Sequence, residues 1–264
     1  MKNLFLYLLP IFIVTALSVL TADAGIQITT VQGPYDNPES AYTSVSFIGK
    51  NGMRIETGDN GEENIIIYRN DKKVFWVINP REKTYTEMTR KDIQAMKSRM
   101  DEAMVQMQEQ MKNMTPEQRA MMQQMMKGTM PVKPKEIVYR KTDSKARISR
   151  WICNKYVGYL DGTKKKEVWT TDWKSLGLSK DHFAVMQGMS LFISEITKGV
   201  TDFFRTGSEK WEQQQGYSGV PVRTISYSNG KADIKTEIKE VKEKDFSPAL
   251  FDLPTGFMKK KFGI

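Results

Sequence analysis

Between Ala41 and Met88 the chain breaks into five short β-type runs with almost nothing between them. They are AYTSVSFIG, GMRIET, NIIIYRN, KVFWVINP and KTYTEM. Asn70-Asp71-Lys72 and Asn79-Pro80-Arg81 supply turn residues at two of the joints. Connections this tight admit only antiparallel neighbours, because a parallel crossover needs a dozen residues or more. The segment is therefore expected to be an antiparallel meander. Residues 25–38, which contain GPYDNP, read as a loop leading into it.

The apolar period changes after Thr89. Met96, Met100, Met104, Met107, Met111 and Met114 recur at intervals of four and three, with Ile93 on the same face. At 100° per residue the methionines occupy an arc of about 80°, which predicts an amphipathic helix of roughly 24 residues, about 36 Å long. Thr115, Pro116 and Gln118 then stand as N-cap, first helical residue and capping-box partner of a second helix. That helix carries Met121, Met122, Met125 and Met126 and stops at Gly128. Strand patterns resume in KEIVYRK, ARISRWICNKYVGYL and KKEVWTTD, the last two joined by Asp161-Gly162. A third helix is expected from Ser179 to Phe204, with Phe183, Met186, Met189, Ile193, Ile196, Val200, Phe203 and Phe204 on a wide apolar face. VPVRTISYSNG and KADIKTEIKEV follow, with Asn229-Gly230 a strong hairpin signal.

The start of the chain reads as an export leader. Lys2 precedes an apolar run from Leu4 to Leu20, and Ala22-Asp23-Ala24 places small residues where a signal peptidase reads them. Cleavage after Ala24 is expected, giving a periplasmic or otherwise exported protein; an uncleaved anchor is the other reading, against which Pro10 stands. The expected domains are the leader at 1–24, the loop at 25–38, and one domain over 39–264 with a helical hairpin inserted at 90–128. The formal charge of +9 is spread along the chain, which favours anionic surfaces such as lipid headgroups. No nucleic-acid motif accompanies it. Cys153, the one cysteine, excludes an internal disulfide and reads as a small buried hydrophobe.

Catalytic signals are sparse. His182 is the one histidine, reads as a partly exposed residue at a helix terminus, and has no nucleophile motif beside it. The acidic stretch from Asp59 to Glu63 is too short for a calcium loop and reads as a turn. No phosphate-binding or dinucleotide glycine pattern occurs. The chain is expected to be no enzyme and to carry no cofactor.

Several segments taken together have a family likeness. GMRIE, IIIYRNDKKVFWVINPREKTYTEM, the methionine-rich insert, ICNKYVGYLDGTKKKEVWTTD, GVPVRT and LFDLPTGF resemble an uncharacterised family of exported bacterial proteins related to the LolA/LolB-like lipoprotein-localisation carriers. The resemblance spans roughly residues 40–258. It implies an incomplete antiparallel β-barrel around a helical lid, and the founding carriers hold acyl chains in that hollow. The expected fold is thus α+β: a strongly curved, LolA-like half-barrel covered by the methionine-rich hairpin and a further apolar helix.

The methionine stripe admits packing, an adaptable cover for apolar ligands, or soft-metal binding. Eleven of the residues from Met96 to Met130 are methionine and none is Leu, Ile or Phe, although Leu packs with better-defined rotamers. The leading expectation is a non-enzymatic carrier of lipid or another apolar ligand. Its candidate lining is Met100, Met104, Met107 and Met111 from the hairpin, Phe183, Met186, Ile193 and Phe203 from the third helix, and Phe75, Trp76 and Trp169 from the strands. The alternatives are a Cu(I) or Ag(I) buffer using Met96, Met100, Met104, Met107 and Met111, and an envelope module that docks a partner protein.

Overall fold

The computed structural model describes residues 23–59, 62–112, 114–115, 118, 121, 137–196 and 216–261. Twelve strands form one sheet, in the order β12-β6-β5-β4-β3-β2-β1-β11-β10-β9-β8-β7. The first meander comprises β1 (Asp23–Pro34), β2 (Tyr42–Ile48), β3 (Gly52–Asp59), β4 (Glu62–Arg69), β5 (Val74–Asn79) and β6 (Thr84–Thr89). The second comprises β7 (Val138–Ile148), β8 (Trp151–Leu160), β9 (Thr163–Thr171), β10 (Val220–Ser228) and β11 (Lys231–Phe246). Helix α1 (Arg90–Lys112) follows β6, α2 (Lys180–Ile196) lies between β9 and β10, and β12 (Met258–Lys260) ends the described chain. All pairings are antiparallel except that of β12 with β6.

The molecule is mainly β, and its sheet is open and not strongly curled. This corrects the expected half-barrel. Among the described residues the ends of the sheet, β7 and β12, stand at opposite edges of the strand order rather than pairing. Short hairpins specify which strands are neighbours, but closure depends on twist and stagger summed across the sheet, which no local turn encodes.

The expected loop at 25–38 is also corrected. Residues 23–34 are β1, a central strand paired along its length with β11 and with β2 from Ile26 to Gln32. Ile26 and Ile28 are buried on one face. A Cβ at Gly25 would lie 2.5 Å from the Phe246 ring and 2.7 Å from the Ile48 carbonyl oxygen, so only glycine lets the strand enter there. In the second meander, the run read as the single strand ARISRWICNKYVGYL contains a turn at Ser149, which adopts φ 52°. It therefore supplies the end of β7 and all of β8.

Other local expectations hold. The hairpins at Asp161-Gly162 and Asn229-Gly230 use left-handed residues, with φ of 49° and 76° and of 49° and 77°. Thr89 caps α1 reciprocally with Asp92: the Thr89 N–H donates to Asp92 Oδ2 at 2.8 Å, and the Asp92 N–H to Thr89 Oγ1 at 3.3 Å. The box at Thr115 and Gln118 forms the same way, at 3.1 and 3.3 Å. The helix beyond it, with Met122, Met125, Met126 and Gly128, falls outside the described residues.

Both faces of β4 and β5 are covered, which is why IIIY and VFWVI read as unbroken apolar runs. On one face Ile55, Tyr68, Phe75 and Met88 join Ile26, Ile28 and α2. On the other, Ile65, Ile67, Trp76 and Ile78 pack with Phe246, Phe251 and Leu253. The tail after β11 thus covers the second face, held by ion pairs of Arg69 with Asp252 and of Lys260 with Glu82, and by Lys259 to Glu87 at 2.6 Å. Truncating Ile28, opposite both Val241 and Ser46, removes buried apolar volume where the two meanders meet. Ile28→Ala should cost about 3 kcal/mol in urea denaturation. A loss below about 1 kcal/mol would show that β1 is not a structural seam.

Candidate functional site

Helix α2 lies on the sheet through Val185, Met186, Met189, Phe192 and Ile193, all buried. The Phe192 ring stacks on Phe75 with centroids 6.0 Å apart and meets Tyr68 at 5.8 Å. Close approach is possible because position 188 is glycine; a Cβ there would stand 2.9 Å from the Tyr68 hydroxyl. Ile93, in the first turn of α1, joins the same cluster and anchors the start of that helix on the same face.

Of the candidate lining residues, Phe75, Met186, Ile193 and Trp169 are brought into this one apolar cluster. Phe183 is half-buried, its ring 5.9 Å from Trp173. Met111 is half-buried near the end of α1. The side chains of Met96, Met100, Met104 and Met107, and the whole of Phe203, lie outside what the structure describes. Trp76 is a correction. It is on the opposite face, in the layer under the tail, and its Nε1 donates to Glu87 at 2.9 Å. Adjacent strand residues point to opposite faces, so Phe75 and Trp76 could not both line one site.

His182 is also corrected: it is buried, not partly exposed. The Ser179 N–H donates to its Nδ1 at 3.2 Å, and its own N–H donates to Ser179 Oγ at 3.2 Å. With Nδ1 an acceptor, Nε2 carries the proton and donates to the Ala24 carbonyl oxygen at 3.3 Å. His182 therefore ties the start of α2 to the start of β1. Cys153 is fully buried, and that burial pushes its thiol pKa up. Among the described residues no group of three or more His, Cys, Asp or Glu is placed to hold a metal ion.

The structure adds a feature with no counterpart in the motif reading. Lys155, Trp169, Arg223 and Glu237 stand side by side across β8, β9, β10 and β11. The Trp169 ring lies between Lys155 Nζ at 4.9 Å and Arg223 Cζ at 5.9 Å. Glu237 is buried against Arg223 at 2.6 Å and Lys235 at 3.2 Å, with Lys239 also paired to it. Burial pushes the Glu237 carboxyl up, but the hydrogen bonds and charges of these cations outweigh it and hold the pKa at about 2. Glu167 is opposed in the same way by burial and by Lys164 and Lys155, with its pKa lowered on balance. Alternation in KADIKTEIKEV gives no hint that one of its glutamates is buried; the register is needed to see three cations converge on it.

Charge is divided along the sheet. Residues 138–171 and 220–246, which form β7 to β11, carry 15 Lys and Arg against 8 Asp and Glu. Residues 23–89, which form β1 to β6, carry 7 against 10. The excess that looks diffuse in the sequence is gathered on one wing.

No family model matches the chain, and no curated protein matches it. Solved structures give distant likenesses. An uncharacterized conserved protein from Thermus thermophilus aligns with a TM-score of 0.44 and 10% identity over 92% of each chain. PNGF-II aligns with a TM-score of 0.38 and 10% identity, over 90% of this chain and 31% of its own. The chain thus spans about a third of PNGF-II. These values assign no family.

The Glu237 carboxylate yields a pH dependence with a defined sign. Above its ordinary pKa of 4.5 it is ionised in both folded and unfolded chains, and its contribution is complete. The contribution is lost as pH falls from there through about 2. Glu237→Gln should cost about 1–3 kcal/mol at neutral pH and flatten the stability curve across that window. Parallel acid-denaturation curves for parent and variant would contradict this assignment. Cys153 should resist a thiol reagent such as DTNB in the native protein and react once urea unfolds it; prompt native labelling would contradict its burial.

Proposed function

We propose that the chain is a non-enzymatic, exported binding or carrier protein for a lipid or another apolar ligand, taken up between the sheet and its helices. The observation that carries this reading is the unfinished apolar surface of the helical cover. Val105 on α1, Met121 beyond it and Leu191 on α2 are 56%, 67% and 48% exposed. Met111 and Met114 are only half-buried. These side chains leave apolar surface on the helices that a guest could cover.

The space between α2 and β4–β5 is occupied by the protein's own side chains, with Phe192 on Phe75. A guest would therefore lodge against the methionine-bearing helix, because thioether side chains repack at low cost. Each acyl CH₂ buried adds about 0.8 kcal/mol, so a chain of a dozen carbons supplies enough to offset the ordering of the cover. The resemblance to LolA/LolB-type carriers and the expected leader add support for this class and for a periplasmic setting; cleavage after Ala24, the expected site, would shorten β1 by its first two residues and release the His182 Nε2 bond. The basic wing suits an anionic membrane surface as donor or acceptor of the cargo.

Native mass spectrometry of gently purified mature protein tests the proposal. Lipid adducts are expected, and replacing Met100, Met104, Met107 and Met111 together by Leu should narrow their range while the fold persists. Protein that emerges free of adducts and fails to bind a fluorescent fatty acid would overturn the reading. Cu(I) competition against a chelator separates the soft-metal alternative, since the same leucines would abolish it.

A further inference from the structure

Where the β7–β8 turn, the 3-10 turn at Trp173–Leu176 and the far end of β11 meet, a cleft of about 440 Å³ opens to solvent. Arg150, Lys174, Ser175, Leu176, Val241 and Glu243 line it. Leu176 and Val241, the two apolar residues of this lining, are buried.

The two cations are built alike. Arg150 Cζ lies 5.1 Å from the centroid of the Trp151 ring, and Lys174 Nζ lies 5.5 Å from that of Trp173. Among the described residues no carboxylate forms an ion pair with either, whereas Arg54, Arg69, Lys155 and Arg223 each hold one. The turns that carry them are fastened together. Trp151 Nε1 donates to the Ser175 carbonyl oxygen at 3.0 Å, and Arg150 Nη2 donates to the Val241 carbonyl oxygen at 2.8 Å. An indole against each cation restricts its rotamers and shields one side from water, so two positive charges stay at the cleft instead of sweeping through solvent.

We propose that this cleft binds an oxyanion, a phosphate or carboxylate group, through Arg150 and Lys174. Beyond the N–H that it gives to Val241, the Arg150 guanidinium keeps four others for an oxyanion, Lys174 adds a point charge, and Ser175 stands on the same lining. Glu243, on the same lining, opposes the anion and sets a ceiling on its affinity. The site does not depend on an apolar cargo, because free phosphate and a phospholipid headgroup present the same chemistry.

The test is calorimetric titration of the purified protein, with indole fluorescence as a second readout. The probes are inorganic phosphate and a short-chain phosphatidylglycerol below its micelle concentration. Saturable binding that weakens with added NaCl is expected. Lys174→Gln should weaken it about tenfold, the loss of one charge-assisted contact. Glu243→Gln should strengthen it several-fold. Neither of these side chains makes a hydrogen bond or ion pair among the described residues, and Lys174→Gln gives up only an exposed contact with the Trp173 ring, so thermal melts of both variants should stay close to the parent. Equal affinity for the two probes identifies a free oxyanion, and tighter binding of the lipid identifies a headgroup. The inference is overturned if neither probe binds at millimolar concentrations, or if either substitution leaves the affinity unchanged.

Discussion

The structure depends on the pairing of β1 with β11. Within each meander, neighbours in sequence are neighbours in space, and a few residues of turn suffice to align most of them. The pairing of Asp23 with Phe246 through Pro34 with Ile234 is different in kind, since it joins strands some two hundred residues apart. Without it the sheet would be two smaller ones, each with a long unpaired edge, at β1 or β11, open to association with other chains. With it, β1 is hydrogen-bonded on both sides, and Ile26 and Ile28 link the cores of the two halves. Contacts so distant in sequence are formed against a large loss of chain freedom.

Other elements are hung on this frame. The His182 bond to Ala24 and the bed of Tyr68, Phe75 and Phe192 fix α2 against the seam and the first meander together. The tail crosses the opposite face and adds β12 beside β6, so the end of the chain clasps a strand far from β11. The first wing is thereby covered on two faces and is nearly neutral to acidic. The second wing carries the excess of Lys and Arg, two buried carboxylates that each gather more than one cation, and the indole-backed pair at Arg150 and Lys174. Both wings bury core residues, but the positive excess is confined to the second.

Much of this is legible in the sequence, for identifiable reasons. Hairpins with Asn-Gly and Asp-Gly, the Thr115–Gln118 box and the span of α1 rest on local backbone chemistry, and local chemistry survives in any context. What escapes is set by tertiary partners. Residues 25–38 look like a loop because their apolar content is low and GPYDNP follows, yet β2 and β11 together make a strand of their first part. Ser149 turns the chain inside a run that reads as continuous. Trp76 looks like a companion of Phe75 in one lining, although one residue of separation puts it on the other face. His182 looks exposed because its acceptor, the Ala24 carbonyl, is 158 residues away. The openness of the sheet is the largest difference, and it is a property of all twelve strands at once.

Native-state hydrogen–deuterium exchange resolved by peptide addresses the seam most directly. Amides from Ile26 to Val31 and their β11 partners should be among the slowest in the protein, exchanging only with global unfolding. Exchange of β1 well ahead of β3 to β5, with those strands still protected, would show that the meanders are stable apart and that the seam is an accessory.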